Sequence, residues 1–208
     1  DYPQLPTGSV DMDALKETIL KQKIEVVAVS YVQYSSGFKI DLKDLGSFCR
    51  ENEVVLVVDA TQAFGAMEID VKALQVDILV ASVFKWVCAG FGIGIMYVRE
   101  ELFEAYEPPV MGASSQGIAA KIKQISDIDF SGATFQTGNL DYKSTLVLGG
   151  AIDQMNRIGL SNIEARIAAL QKYLLEELQK IGVRLVSNYS ELNRAAITII
   201  EGNQDIWE

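Results

Sequence analysis

The sequence predicts an α/β domain built on a mostly parallel sheet with one antiparallel strand. Three observations carry this. Near-continuous runs of branched apolar residues recur at 24–30, 54–59 and 78–83, as expected of strands covered on both faces. Helix-period segments lie between them, and alternation of the two patterns is the signature of a parallel sheet. Finally, residues 83 and 93 are separated only by 84–92. A parallel crossover needs about a dozen residues, usually including a helix, so the strand at 93–99 is expected either to run antiparallel to the strand before it or to leave its neighbourhood, and the antiparallel arrangement is the prediction.

Each element follows from its local pattern. Residues 10–23 read as a helix with Leu15, Ile19 and Leu20 on one face. Tyr34-Ser35-Ser36-Gly37 is a turn after the first strand. Residues 41–53 form a second helix, with Leu42, Leu45 and Phe48 inward and an acid in its first turn. A short helix is expected at 71–75. Residues 107–139 are rich in Gly, Ser and Pro and too long for an idle connection, which suggests a functional or interface loop. A helix at 142–158 follows. Ser161 and Glu164 have the spacing of a capping box opening a long amphipathic helix, with Ile163, Ile167, Leu170, Leu174, Leu178 and Ile181 inward and a stop at Gly182. Residues 183–187 and 195–201 read as strands. The division expected is 1–154 for the first domain and 155–208 for the beginning of a second.

Composition excludes some functions. The chain of 208 residues has 28 acidic against 18 basic side chains, a net charge of −10, and lacks the basic face that nucleic acid requires. No apolar run approaches the ~20 residues that cross a bilayer, and no secretory leader is legible. Cys49 and Cys88 have neither metal nor disulfide spacing. A cytoplasmic protein with no nucleic-acid or membrane partner is the expectation. The chain opens at Asp1, which reads as a piece of something longer. It has no histidine, so acid–base work falls to a lysine, a carboxylate or a tyrosine.

The chemistry-bearing residues cluster at strand ends. Asp59 closes the run at 54–58, Gln62 follows one short turn later, Ser82 closes the run at 78–81, and Lys85 comes directly after. In open α/β sheets ligands gather outside the carboxyl ends of the strands. An amine and a carboxylate at neighbouring tips are what pyridoxal 5'-phosphate (PLP) requires: the amine forms a Schiff base, and the acid keeps the pyridine nitrogen protonated so that the ring accepts electrons. Gln62 is placed to donate to the ring hydroxyl and Ser82 to bind the phosphate. Each residue also has an ordinary reading, since a strand-end Asp commonly caps a loop and a Lys between Phe84 and Trp86 commonly snorkels at a rim. The ordered set carries the argument. Gly90-Phe91-Gly92-Ile93-Gly94 opens no helix, so it is not a dinucleotide loop. Cys88 reads as a small residue packed in a glycine-rich turn rather than a nucleophile.

Residues 26–100 resemble the class V aminotransferases, the PLP-dependent fold type I group that includes cysteine desulfurases, selenocysteine lyases and isopenicillin N epimerase-like enzymes. The matching features are Asp59 at the end of a Val-rich strand, then Thr61-Gln62, Ser82-x-x-Lys85-Trp86, and Gly92-x-Gly94 before a strand. The resemblance implies a fold type I large domain of three layers followed by the start of an α+β domain. It implies Lys85 as the Schiff-base lysine, Asp59 at the pyridine nitrogen, Gln62 at the ring oxygen and Ser82 at the phosphate. Weaker similarity through Phe135-Gln136-Thr137-Gly138-Asn139 implies that Asn139, with Thr137 nearby, reaches the phosphate of a partner subunit's cofactor, hence a homodimer with a shared active site.

The chain departs from the family at several positions. Phe84 stands where the family commonly has His, Gln or Arg, Tyr34 where desulfurases tend to have Asn, and Thr134 where an Arg is frequent. The expected activity is PLP-dependent chemistry of the aminotransferase type on a small-molecule amino acid. A carbon–sulfur lyase of the cysteine desulfurase or selenocysteine lyase type is the alternative. A non-catalytic fold type I fragment serving as a dimerisation core is a third, of a different class.

Overall fold

A computed structural model describes residues 5, 8–105, 110, 112, 135, 138–139, 141–187 and 189–202. A four-stranded sheet runs in the order β1 (Val26–Ser30), β2 (Val55–Asp59), β3 (Ile78–Ser82), β4 (Gly94–Val98). The first three strands are parallel and β4 is antiparallel to β3, as the short link after Val83 requires.

The register sorts the side chains into two faces. Val27 and Val29 pair with Leu56 and Val58, Val58 with Leu79, and Leu79 and Ala81 with Tyr97 and Ile95. This face is covered by α1 (Met12–Gln22), through Leu15 and Ile19, and α2 (Leu42–Glu51), through Leu42, Leu45 and Cys49. Leu45, Leu56 and Val58 are fully excluded from water, and truncating either leucine to Ala would cost about 2–5 kcal/mol. The opposite face carries Val57, Asp59, Val80, Ser82 and Met96 and stays partly open.

Both helices begin on an aspartate. Asp11 accepts from the Ala14 amide at 3.0 Å, and Asp41 from that of Asp44 at 3.1 Å, satisfying donors that lack intrahelical partners. Gly46 lets α2 press onto the β2–β3 connection, since a Cβ there would lie 2.1 Å from the Leu74 carbonyl oxygen. That connection corrects one expectation: residues 71–75 make a turn, not a helix. Asp70 caps it by accepting from the Lys72 and Ala73 amides, and Gln75 takes a left-handed φ of 54°, which ends the winding after one turn.

The C-terminal part departs further from expectation. A short helix, α3 (Glu100–Ala105), follows β4, and the helix at 142–158 is present as α4 (Tyr142–Ile158). Its N-cap Asp141 has its carboxyl held below the usual range, by the Ser144 hydroxyl first and then by the Ser144 and Lys143 amides. α4 ends at Gly159, φ 87°. The capping box does not form. α5 (Leu160–Lys180) starts before Ser161 and has no side-chain cap, while the Glu164 carboxylate turns aside to accept from the Glu68 amide at 3.0 Å. Of the residues expected inward, Ile163, Ile167 and Leu178 are half-buried, whereas Leu170, Leu174 and Ile181 are exposed. Periodicity identified a stripe, but little packs on it among the described residues. The two C-terminal strands reduce to one antiparallel bridge, Leu185 with Ile200.

At the amino end of the parallel strands sits Asp77, only 3 % exposed. Its Oδ2 accepts from the Leu56 amide at 2.8 Å. Its Oδ1 accepts from Arg50 at 3.0 Å and from Arg99 Nε at 2.6 Å. Its own backbone donates to the Leu56 carbonyl and accepts from the Arg99 amide. One carboxylate therefore joins α2, β2, β3 and the end of β4. Asp77→Ala removes the acceptor of the Arg50 guanidinium and of the buried Leu56 amide and leaves Arg99 only its bond to Glu101, and is expected to lower unfolding free energy by about 2–4 kcal/mol. Asp44→Asn, which breaks only the exposed Lys16–Asp44 pair, is expected to cost under about 1 kcal/mol. Urea denaturation of the two variants checks the contrast.

Candidate functional site

The carboxyl ends of β2 and β3 converge through one residue that sequence reasoning did not single out. Asp59, the last residue of β2, faces the open side of the sheet and accepts from the Thr61 amide at 2.8 Å through Oδ1. Thr61 Oγ1 in turn accepts from the Ser82 amide at 3.1 Å. Ser82, the last residue of β3, lies two residues beyond Val80, the register partner of Asp59, so the two side chains project from the same face. Thr61 was legible only as part of the Thr-Gln pair; its bridging role depends on how the tips meet.

Gln62 lies half-buried in the turn after β2, ahead of fully buried Ala63. Lys85 is half-buried in the loop after β3. Its ammonium lies 5.2 Å from the ring centre of Tyr34, in the turn after β1, and 5.7 Å from that of Phe84. The amine is therefore held against aromatic faces by cation–π attraction. Asn139 is exposed at the start of the segment leading to α4. Thr137 lies outside the described residues, as do Thr134 and most of 107–139.

The lysine loop rests on a small core of its own. Val83, Val87 and Ala89 are buried against Leu148, Ala151 and Met155 of α4 and against Phe64 and Ile93. Gly65, at φ 92°, makes this contact possible, because a Cβ there would come within 3.0 Å of both Val87 and Met155. The Trp86 indole N–H is buried without a hydrogen-bond partner among the described residues.

Neither cysteine belongs to a ligand cluster, and among the described residues no group of His, Cys, Asp or Glu is arranged to hold a metal ion. No described helix is long and apolar enough to cross a membrane. A groove of about 1030 Å³ lies between α5 and the segment after it, lined by charges of both signs including Lys39, Glu164 and Arg194, but by none of the strand-tip residues. Its volume gives it no chemistry, whereas an amine, a carboxylate, an amide and a hydroxyl lie around the ends of β2 and β3.

That donor set fits PLP: an acid for the ring nitrogen, an amine for the aldehyde carbon, and neutral donors for the ring oxygen and phosphate. The comparisons with known proteins agree in fold and family. Residues 1–204 match the family described as Aminotransferase class-V. The chain is 30 % identical over 208 residues to a probable cysteine desulfurase of Xylella fastidiosa (strain 9a5c), covering 95 % of this chain and 47 % of the relative. It superposes on the apo structure of a cysteine desulfurase from Thermococcus onnurineus NA1 with a TM-score of 0.82 at 26 % identity, covering 95 % of this chain and 48 % of that one. A ureidoglycine-glyoxylate aminotransferase from Bacillus subtilis shares the fold, with a TM-score of 0.75 at 20 % identity, covering 97 % of this chain and 51 % of that one. The chain belongs to the class-V aminotransferase family, whose members are PLP-dependent enzymes of fold type I. It spans about half the length of the curated relatives it matches.

The two thiols differ in chemistry. Cys88 is not packed, as the sequence suggested, but exposed, with a left-handed φ of 57° and its thiol donating to the Lys85 carbonyl at 3.3 Å. Cys49 is buried in α2, and burial first, then the charge of Asp77, pushes its pKa up to about 11. Iodoacetamide at about pH 8 is expected to label Cys88 in the folded protein and Cys49 only after unfolding, as peptide mass spectrometry would show. The unfolded chain ionises Cys49 from about pH 9 while the fold keeps it protonated to about pH 11. The unfolded state therefore binds fewer protons in that window, and stability falls as pH rises through it. Cys49→Ala should flatten that part of the decline in a pH series of denaturation curves.

Proposed function

We propose that this chain carries the cofactor-binding part of a PLP-dependent enzyme acting on a small-molecule amino acid. Lys85 holds the cofactor, Asp59 pairs with its pyridine nitrogen, Gln62 with its ring oxygen and Ser82 with its phosphate. The observation that supports this most directly is the Asp59–Thr61–Ser82 linkage. It holds an acid and a hydroxyl on one face, at the strand ends from which the lysine loop departs. PLP, when bound, supplies an electron sink for charge at the substrate's α-carbon. Lys85 Nζ moves the proton at that carbon, a role suited to a chain without histidine. The hydrogen bond from the Thr61 amide fixes the orientation of the Asp59 carboxyl group at the strand end. The firm base beneath Val83 and Val87 limits how far the amine can wander.

The assignment extends to features implied by family membership. Asn139 and Thr137 reach the phosphate of a partner subunit's cofactor, so the working unit is a homodimer with a shared site, in the cytoplasm. Residues from about 155 onward begin a second domain. Transamination is the leading reaction. Carbon–sulfur lyase chemistry is a second reading, supported by the cysteine desulfurase relatives. Sulfide release from cysteine by the complete gene product separates the two.

The test of the main reading is spectroscopic. Added PLP is expected to give the complete gene product a visible absorption band, and borohydride to bleach it and add the cofactor's mass to the peptide bearing Lys85. Lys85→Ala should abolish the covalent adduct. Asp59→Ala should keep the adduct but cut turnover by about a hundredfold or more. Absence of saturable PLP binding would favour a non-catalytic dimerisation core instead.

A further inference from the structure

Three exposed aromatic rings gather at the lysine loop, two of them against the amine and the third stacked on one of those two. Tyr34 is 74 % exposed, Phe84 37 % and Phe91 81 %. They come from separate places, Tyr34 from the turn after β1 and the two phenylalanines from opposite ends of the lysine loop. Phe84 and Phe91 stack with ring centres 4.8 Å apart and planes at 25°. Lys85 Nζ lies near the faces of Tyr34 and Phe84. Gly90 and Gly92, both at positive φ with open space around them, flank Phe91 and turn it outward.

Packing among the described residues does not account for this cluster. The packing beneath the loop is done by Val83, Val87 and Ala89, and contiguous exposed apolar surface marks a binding site. Tyr34 and Phe84 are distant in sequence, yet the fold brings both to one amine. A polar side chain pressed against these rings would lose water without gaining a partner, whereas an apolar one would gain contact area.

We propose that Tyr34, Phe84 and Phe91 receive the side chain of the amino-acid substrate and select large apolar or aromatic side chains over small or acidic ones. This rests on Lys85 being the cofactor lysine.

The test uses the complete gene product loaded with PLP and two ligands that lack the reacting amine, 3-phenylpropanoate and propanoate, with binding followed by tryptophan fluorescence. The aromatic acid is expected to bind at least about tenfold more tightly, and succinate no better than propanoate. Phe91→Ser should reduce that ratio several-fold without changing the melting temperature, because the ring is exposed, and Phe91→Tyr should restore it. If borohydride fixes cofactor on Lys85 but the two ligands bind alike, the inference falls while the lysine assignment stands. If no cofactor is fixed on Lys85, both fall. If Phe91→Ser alters oligomeric state by light scattering but leaves the binding ratio unchanged, the rings form a subunit contact and the inference is overturned.

Discussion

The buried carboxylate of Asp77 is the interaction on which the geometry of this molecule depends. It lies at the end of the sheet opposite the candidate site and contacts a helix, two parallel strands and the return of the antiparallel one. Removing such a charge from water is costly, and the cost is met only when both oxygens are fully used. Here Oδ1 takes two guanidinium groups and Oδ2 a backbone amide. This constraint sets the register of β2 against β3 and of β3 against β4. A one-residue slip would carry Asp59 and Ser82 to the helix-covered face.

The site is the far end of the same arrangement. With registers set at the amino ends, the carboxyl ends deliver Asp59 and Ser82 to one face, and Thr61 bridges them. Chemistry here needs few residues but firm support. Support comes from α4 under the lysine loop and from Gly65, where the absence of a side chain permits the approach. The aromatic rings around Lys85 belong to a different layer of organisation, because they contribute little to the core.

Much of this was legible in the chain. Apolar runs ending in Asp59 and Ser82 identified strands and their tips, and the short interval after Val83 dictated the antiparallel return. The errors have common physical causes. A single turn at 71–75 has helical composition but is stopped by the Asp70 cap and the left-handed Gln75. The Ser161–Glu164 spacing matches a capping box, yet Glu164 finds a better-placed amide on Glu68. The stripe on α5 predicts an apolar face without saying what, if anything, lies against it.

The sequence by itself determined which segments form the strands, a mostly parallel sheet with one antiparallel strand, the family and the residue types at the strand ends. These follow from periodicity, loop length and motif order, all of which are local. Only the tertiary structure decided that Asp77 joins four elements, that Thr61 bridges two strand tips, and that Tyr34 and Phe84 meet at one amine with Phe91 stacked on Phe84. Those outcomes depend on contacts between residues far apart in the chain, whose distances are set by sheet register and helix packing.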